Sequence, residues 1–329
     1  MPRGDANLWE LSDLCTPWCI HVAATLGVAA HLQTGHHELD SLAAACRCNA
    51  RYLGLMLRHL VAKGVFDEPT PGRFELNDVA RGFLEPGANL GFNLDRLGGR
   101  MAYAWGTLLE AVRTGAPAYA NLFGRSFWED LDVHSELAAD FDALMGPEGH
   151  GTPDPGVLLD DDWAGVRTVV DVGGGSGAML AEILRAHPAM HGTLVDLPKT
   201  VARAAAVFAE AGVIDRARVV GQSFFDPLPP GADLYLLMKV VSNWTGEHLK
   251  AILRRCGEAA GAGGRIVVSG GVKADSRSQG LSIETVLIGG MTYGLDEFRS
   301  IAADAALQVV KAGAQQSGRF VVECRRTAP

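Results

Sequence analysis

Between Leu8 and about Leu84, apolar residues recur at three- and four-residue spacing through Leu11–Leu32, Leu39–Cys46 and Tyr52–Lys63, which predicts short helices packed close together in sequence. Asp40 and Ser41 can start one helix, Asn49 can cap the next, and Gly64 ends it. Val65 and Phe66, a polar turn over Asp67–Gly72, and Arg73–Leu76 then read as a two-stranded wing. The expected unit over residues 1–90 is therefore a helix-turn-helix with a wing. Residues 91–156 read as further helices, rich in aromatics such as Phe92, Tyr103, Trp105, Phe127, Trp128 and Phe141, and they end in a Gly/Pro break over Gly146–Gly156.

After the break the period changes. β-Branched runs at Thr168–Val172, Gly192–Val195, Ala217–Val220, Leu234–Lys239 and Arg265–Val268 alternate with helical segments at Gly177–His187, Thr200–Ala211 and Gly246–Gly257. That alternation specifies an α/β domain over 157–329, with a parallel sheet covered by helices on both faces. A last helix, Leu295–Ala306, precedes Leu307–Lys311 and Arg319–Cys324, whose Gly/Gln turn suits an antiparallel edge hairpin.

Composition narrows the function classes. The 329 residues are 48% hydrophobic and carry 29 basic against 38 acidic side chains, a formal net charge of −9. Ample cores are expected, and attraction to nucleic acid or anionic membranes is not. The wing region is no exception, since residues 1–100 hold nine basic and eleven acidic side chains, so the winged helix is expected to serve packing or dimerisation. Val22–Leu32, among the longest apolar stretches, is interrupted by His31 and falls short of the roughly 20 residues that span a bilayer. The first residues lack the pattern of a signal peptide, and a cytoplasmic protein is the expectation. The six cysteines lack the paired Cys-x-x-Cys spacing of zinc sites and are expected as reduced thiols, with no metal centre.

The candidate chemistry begins at Asp171-Val172-Gly173-Gly174-Gly175-Ser176-Gly177, which closes the first strand of the α/β domain and opens a helix. Glycines there let the backbone approach a ligand, at the end of the sheet where such folds bind theirs. The loop alone also satisfies a dinucleotide pattern. An acid two places before the first glycine is poorly placed for a pyrophosphate, but suits the cationic amino group of a methionyl moiety. Asp196, at the end of the second strand, is in reach of ribose hydroxyls.

Asp171–Gly177, Val195–Pro198, Ser223–Pro229, and Asn243-Trp244 ahead of Ile252–Cys256 are similar to successive motifs of the S-adenosylmethionine (SAM)-dependent small-molecule O-methyltransferases. Arg113–Tyr119 and Ser126–Leu131 resemble the bacterial members that act on aromatic and polyketide natural products. The resemblance implies a Rossmann-like class I SAM methyltransferase domain behind an N-terminal winged-helix dimerisation domain, a homodimer, and S-adenosylhomocysteine (SAH) as product. It places Gly173 and Gly175 against the methionyl part of SAM, Asp196 and Leu197 at the ribose, Ser223 and Phe224 beside the adenine, and Lys239 near the methionyl carboxylate.

Family members typically carry a histidine base just before an Asp-Trp pair, supported by acids from later segments. Here the segment reads Val240-Val241-Ser242-Asn243-Trp244, Ser269 stands where one supporting acid would be, and Met291-Thr292-Tyr293-Gly294 replaces the other. Neither a serine nor an asparagine side chain is a base at neutral pH. The expected catalytic contributors are Ser242 or Asn243 as hydrogen-bonding groups, with His150 able to swing in from the break. Tyr103, Trp105, Phe141, Met145, Trp244, Met291 and Tyr293 are expected to line a bulky, apolar substrate pocket. Two readings stand: methyl transfer working mainly by proximity and orientation, and a methyltransferase fold turned to decarboxylation, hydroxylation or cyclisation.

Overall fold

A computed structural model of the chain describes residues 7–145, 153–261, 263–275 and 280–327. It divides into two compact units, Met1–Gly106 with Leu131–Gly149, and Thr107–Asp130 with His150–Pro329. The aromatic-rich helical region is thus shared between them, residues 107–130 belonging with the α/β unit.

In the first unit, the helical stretch expected over Leu11–Leu32 is two helices, Cys15–Thr25 and Val28–Gln33, because Gly27 adopts φ +65° between them. Helices Leu39–Ala45 and Ala50–Ala62 follow, and Asn49 caps the second by accepting a hydrogen bond from Tyr52 N at 3.2 Å. The wing is β1 (Phe66–Thr70) paired antiparallel with β2 (Arg73–Leu76). Leu42, Leu53, Leu57, Leu60, Phe66 and Phe74 fill the core between helices and wing.

The second unit is built on a seven-stranded sheet of β3 (Thr168–Val172), β4 (His191–Asp196), β5 (Ala217–Gly221), β6 (Leu234–Met238), β7 (Arg265–Ser269), β10 (Leu307–Ala314) and β11 (Phe320–Arg326). A short separate pair joins β8 (Val272–Lys273) to β9 (Tyr293–Gly294). The sheet order is β10-β11-β7-β6-β3-β4-β5, with β3, β4, β5, β6 and β7 parallel and β11 antiparallel to both its neighbours. The expected edge hairpin is present, with β11 inserted against β7 and β10 outermost.

At the centre of the sheet both faces are covered, so β3, β6 and β7 are nearly continuous buried runs. Val170, Val172, Tyr235, Leu237, Ile266 and Val268 pack with Leu249, Ile252, Leu253 and Phe298 of helices Gly246–Ala260 and Leu295–Asp304. Val169, Leu234, Leu236 and Val267 face the other way, onto Leu180, Ile183, Leu184 and Phe208 of helices Ala178–Ala186 and Ala204–Glu210. The order of strands reverses at β3, whose neighbours β4 and β6 lead the chain to opposite sides. That reversal opens a crevice above the carboxyl ends of β3 and β6. Among the described residues no helix is long and apolar enough to cross a membrane.

Candidate active site

The loop after β3 is shaped by three glycines in the left-handed region, Gly173 (φ +72°), Gly175 (φ +62°) and Gly177 (φ +84°). Gly173 N donates to Val195 O at 2.8 Å, which ties the loop to the end of β4. A Cβ at Gly173 would come within 2.8 Å of Val240 Cγ2, and one at Gly177 within 2.7 Å of the Phe208 ring. At Gly175, by contrast, a Cβ would meet nothing within 4 Å, so this glycine faces open space and leaves its backbone approachable.

Asp171 lies beneath this loop, fully buried, and neither carboxylate oxygen has a hydrogen-bond partner. Gly174 crosses directly over it, so close that a Cβ there would collide with the carboxylate and with Leu194. Burial, and then the nearby charge of Asp196, push the Asp171 carboxyl up to about 7. An unpartnered buried acid is costly unless a cation or donor arrives to meet it. Asp196 stands at the end of β4 with Oδ2 accepting from Gly175 N at 2.9 Å and Oδ1 from Leu197 N at 2.7 Å, which fixes the carboxylate beside the glycine loop. Leu197 beside it is exposed.

Past β5, Ser223 Oγ accepts from Phe225 N at 3.2 Å in a tight turn that sets Phe224 and Phe225 side by side. The Phe224 ring packs over the glycine loop, about where a Cβ on Gly173 would be 3.4 Å away. An acid with orphaned oxygens, an accessible glycine backbone, an anchored carboxylate and a flanking aromatic ring together suit a ligand with a cationic amino-acid end, a ribose and a planar base. They therefore fit SAM.

Beyond β6, Lys239 turns the chain with φ +56° and its backbone N donates to Ser269 O at 2.8 Å. Partial burial of its ammonium, together with the Arg319 charge, lowers its pKa against the opposing pull of Glu284. Ser242 is held by its backbone, its carbonyl accepting from Met291 N at 2.9 Å. The Ser242 hydroxyl makes only long contacts, 3.5 Å to Lys239 O and 3.5 Å to Asn243 Oδ1, at the outer limit of hydrogen bonding. Ser269, at the end of β7, is fully buried with its hydroxyl unpartnered.

Trp244 sits in an aromatic cluster with Phe224 and Phe225, edge to face at 5.7 and 5.0 Å, and stacks on Trp128 at 6.5 Å. Sequence reading singled out neither Trp128 nor Phe225 for the pocket. Trp128 lies in the aromatic-rich stretch and in the Ser126–Leu131 segment, but neither points to Trp244, more than 100 positions away. Tyr293, expected in the pocket, is 2% exposed and donates its hydroxyl to the carbonyl of Trp244 at 2.7 Å. It braces Trp244 from behind instead of presenting a surface to a ligand. Burial and the Glu297 charge push its phenol up to about 12, so it is no proton carrier at neutral pH.

Met291 is exposed on the strand-end side of the same unit. Tyr103, Trp105, Phe141 and Met145 belong to the first unit, where Tyr103 packs on Trp18 at 5.2 Å and Trp105 and Met145 are exposed. His150 lies outside the described residues.

Comparisons with known proteins agree with this geometry. The family model of the O-methyltransferase domain matches residues 105–308, and that of the O-methyltransferase dimerisation domain matches residues 9–86. The chain is 39% identical to 2,7-dihydroxy-5-methyl-1-naphthoate 7-O-methyltransferase of Streptomyces carzinostaticus, across 92% of each. It is 37% identical to aclacinomycin 10-hydroxylase of Streptomyces purpurascens, across 92% of this chain and 84% of that one. Among solved structures, an O-methyltransferase from neocarzinostatin biosynthesis, in complex with SAM and 2-hydroxy-5-methyl naphthoic acid, superposes with a TM-score of 0.90. It is 37% identical, with 98% of this chain and 99% of that one covered.

Proposed function

The chain belongs to the O-methyltransferase family, and on that premise we propose that it methylates a hydroxyl of a bulky aromatic, naphthoate-like intermediate of polyketide biosynthesis. The observation that carries the reading is Asp171, a fully buried acid with two unpartnered oxygens under an approachable glycine loop. It is suited to receive the ammonium of SAM.

SAM, when bound, supplies an electrophilic methyl on a sulfonium and a fixed positive charge. The other contributions come from the chain. Asp171 receives the methionyl ammonium, Gly173 and Gly175 offer backbone at close range, Asp196 and Leu197 take the ribose, and Phe224 with Ser223 flanks the adenine. Lys239 lends positive charge at the methionyl end. Trp244, stacked on Trp128 and braced by Tyr293, forms a rigid aromatic wall for a planar acceptor, with Met291 at its margin. Ser242 and Asn243 stand at the end of β6 as hydrogen-bonding groups that orient the acceptor. Because neither can take a proton at neutral pH, rate enhancement rests on orientation, and acceptors with an acidified hydroxyl are favoured. A hydroxyl beside a carboxylate or on an electron-poor ring has that character.

Residues 9–86 match a dimerisation domain, and Leu8, Trp9, Leu11 and Leu14 present large apolar side chains to solvent. A homodimer formed through this unit covers them. The acidic balance of the chain weighs against nucleic acid as a partner.

A second reading has its own support: Ser242-Asn243 in place of a base, and 37% identity to a protein named as a hydroxylase. In that reading the sulfonium stays intact, and its charge stabilises an anion formed on the substrate. Incubation with SAM and a panel of hydroxynaphthoates and anthracycline-type acids separates the two. Stoichiometric SAH with each methylated product supports methyl transfer; consumption of an acceptor without SAH overturns it.

A further inference from the structure

The cysteines that the sequence presents as unrelated thiols include two that the fold brings to a histidine. Helix Cys15–Thr25 places Cys15 and Cys19 one turn apart with their sulfurs at 3.8 Å. His59, in the last turn of helix Ala50–Ala62, comes from 40 positions away to put a ring nitrogen within 4.8 Å of both sulfurs. Two thiolates at about 2.3 Å from one tetrahedral ion stand about 3.8 Å apart, so the sulfur pair already has the spacing of a tetrahedral edge.

The surroundings hold this arrangement. The Thr16 hydroxyl donates to Asp13 Oδ2 at 2.5 Å, so its oxygen is left to accept from His59 Nε2 at 2.8 Å. Asp13 also accepts from the backbone N of Cys15 (2.8 Å) and Thr16 (3.2 Å) and pairs with Lys63 at 3.1 Å. A charged carboxylate acting through a hydroxyl on a histidine is an outer-shell arrangement that orients imidazole ligands of metals. Cys15 is exposed and gives entry from solvent, while Cys19 and His59 are partly buried.

We infer that Cys15, Cys19 and His59 form a binding site for one zinc ion, with a solvent molecule as fourth ligand. Two sulfurs and an imidazole select a borderline-soft ion of tetrahedral preference over magnesium or calcium. Thiols bind metal as thiolates, so uptake of zinc displaces their protons. Nothing in this site depends on the reading of the α/β unit.

The test uses the reduced full chain, stripped of metal by a chelator and titrated with cobalt(II), then zinc(II). The expected result is one cobalt per chain, with the intense visible absorption of a tetrahedral centre and a thiolate charge-transfer band, displaced by one equivalent of zinc. Cys15→Ser and His59→Gln each lower zinc affinity at least about tenfold, and Cys48→Ser, outside the cluster, leaves affinity unchanged. Cys15 is exposed, so its replacement tests the site without disturbing the core. No uptake, a weak octahedral-type cobalt spectrum, or equal affinity in the Cys15→Ser and His59→Gln proteins overturns the assignment.

Discussion

Asp171 sets the electrostatics of the site. Because its carboxyl is pushed up to about 7 while an unfolded chain titrates near the ordinary 3.8, the native state keeps a proton that the unfolded state has lost across this window. Stability of the ligand-free protein therefore falls as pH rises from about 4 to about 7, by about 1.4 kcal/mol per pKa unit at most. Asp171→Asn flattens that slope in a pH series of denaturant midpoints. Arrival of the SAM ammonium reverses the sense, favouring the charged carboxylate, so SAM affinity rises between about pH 6 and 8 and binding releases a proton. In Asp171→Asn affinity falls about tenfold or more and loses this pH dependence. Calorimetry in two buffers of different ionisation enthalpy reads both, and unchanged affinity in the variant refutes the assignment.

Glycines in the neighbouring loop separate sterics from recognition. Gly175→Ala places a methyl in open space, so its stability cost is the left-handed backbone alone, about 1 to 2 kcal/mol. Its SAM affinity nevertheless falls tenfold or more, because the methyl occupies the ligand's side of the loop. Gly174→Ala drives into Asp171 and Leu194, and destabilises the ligand-free protein more than Gly175→Ala does. Thermal melts and calorimetry on the pair give the comparison; equal stability losses would contradict the geometry.

At the scale of elements, the β9 segment acts as a buttress. Tyr293 holds the carbonyl of Trp244, so Tyr293→Phe costs about 1 kcal/mol of stability and raises the KM for an aromatic acceptor, leaving SAM affinity intact. An unchanged acceptor KM in steady-state kinetics would remove Trp244 from the acceptor wall. What the sequence made legible was what local pattern carries: the strands β3 to β7, the wing, the Asn49 cap, and the glycine loop with Asp171 and Asp196. What escaped it depends on distant partners. The Trp128–Trp244 stack, the burial of Tyr293, and the meeting of Cys15 and Cys19 with His59 join residues separated by 40 or more positions, and no local period encodes them. Gly27 is an intermediate case, since an isolated glycine in an apolar run gives no notice that it will take φ +65° and split the helix.

For the whole molecule, the first unit leaves Leu8, Trp9, Leu11 and Leu14 uncovered, and Trp9 is 84% exposed. Trp9→Glu places a charge in that stripe and converts a dimer to a monomer at micromolar concentration in analytical ultracentrifugation. A variant that sediments as the wild type does would move the dimer contact elsewhere.

The division of labour between recognition and chemistry is also a whole-molecule property. The residues proposed to hold SAM cluster at the strand ends of the α/β unit, whereas Ser242 and Asn243 stand where the resemblance would place the family's base. A fold of this kind keeps its cofactor apparatus while the demand on the acceptor shifts to a hydroxyl that ionises readily. The most direct test is a single turnover with SAM carrying a trideuterated methyl group and a hydroxynaphthoate acceptor, read by mass spectrometry. The account predicts the intact labelled methyl on an acceptor oxygen, with one SAH per product. An acceptor altered without label, and SAM recovered whole, would contradict it.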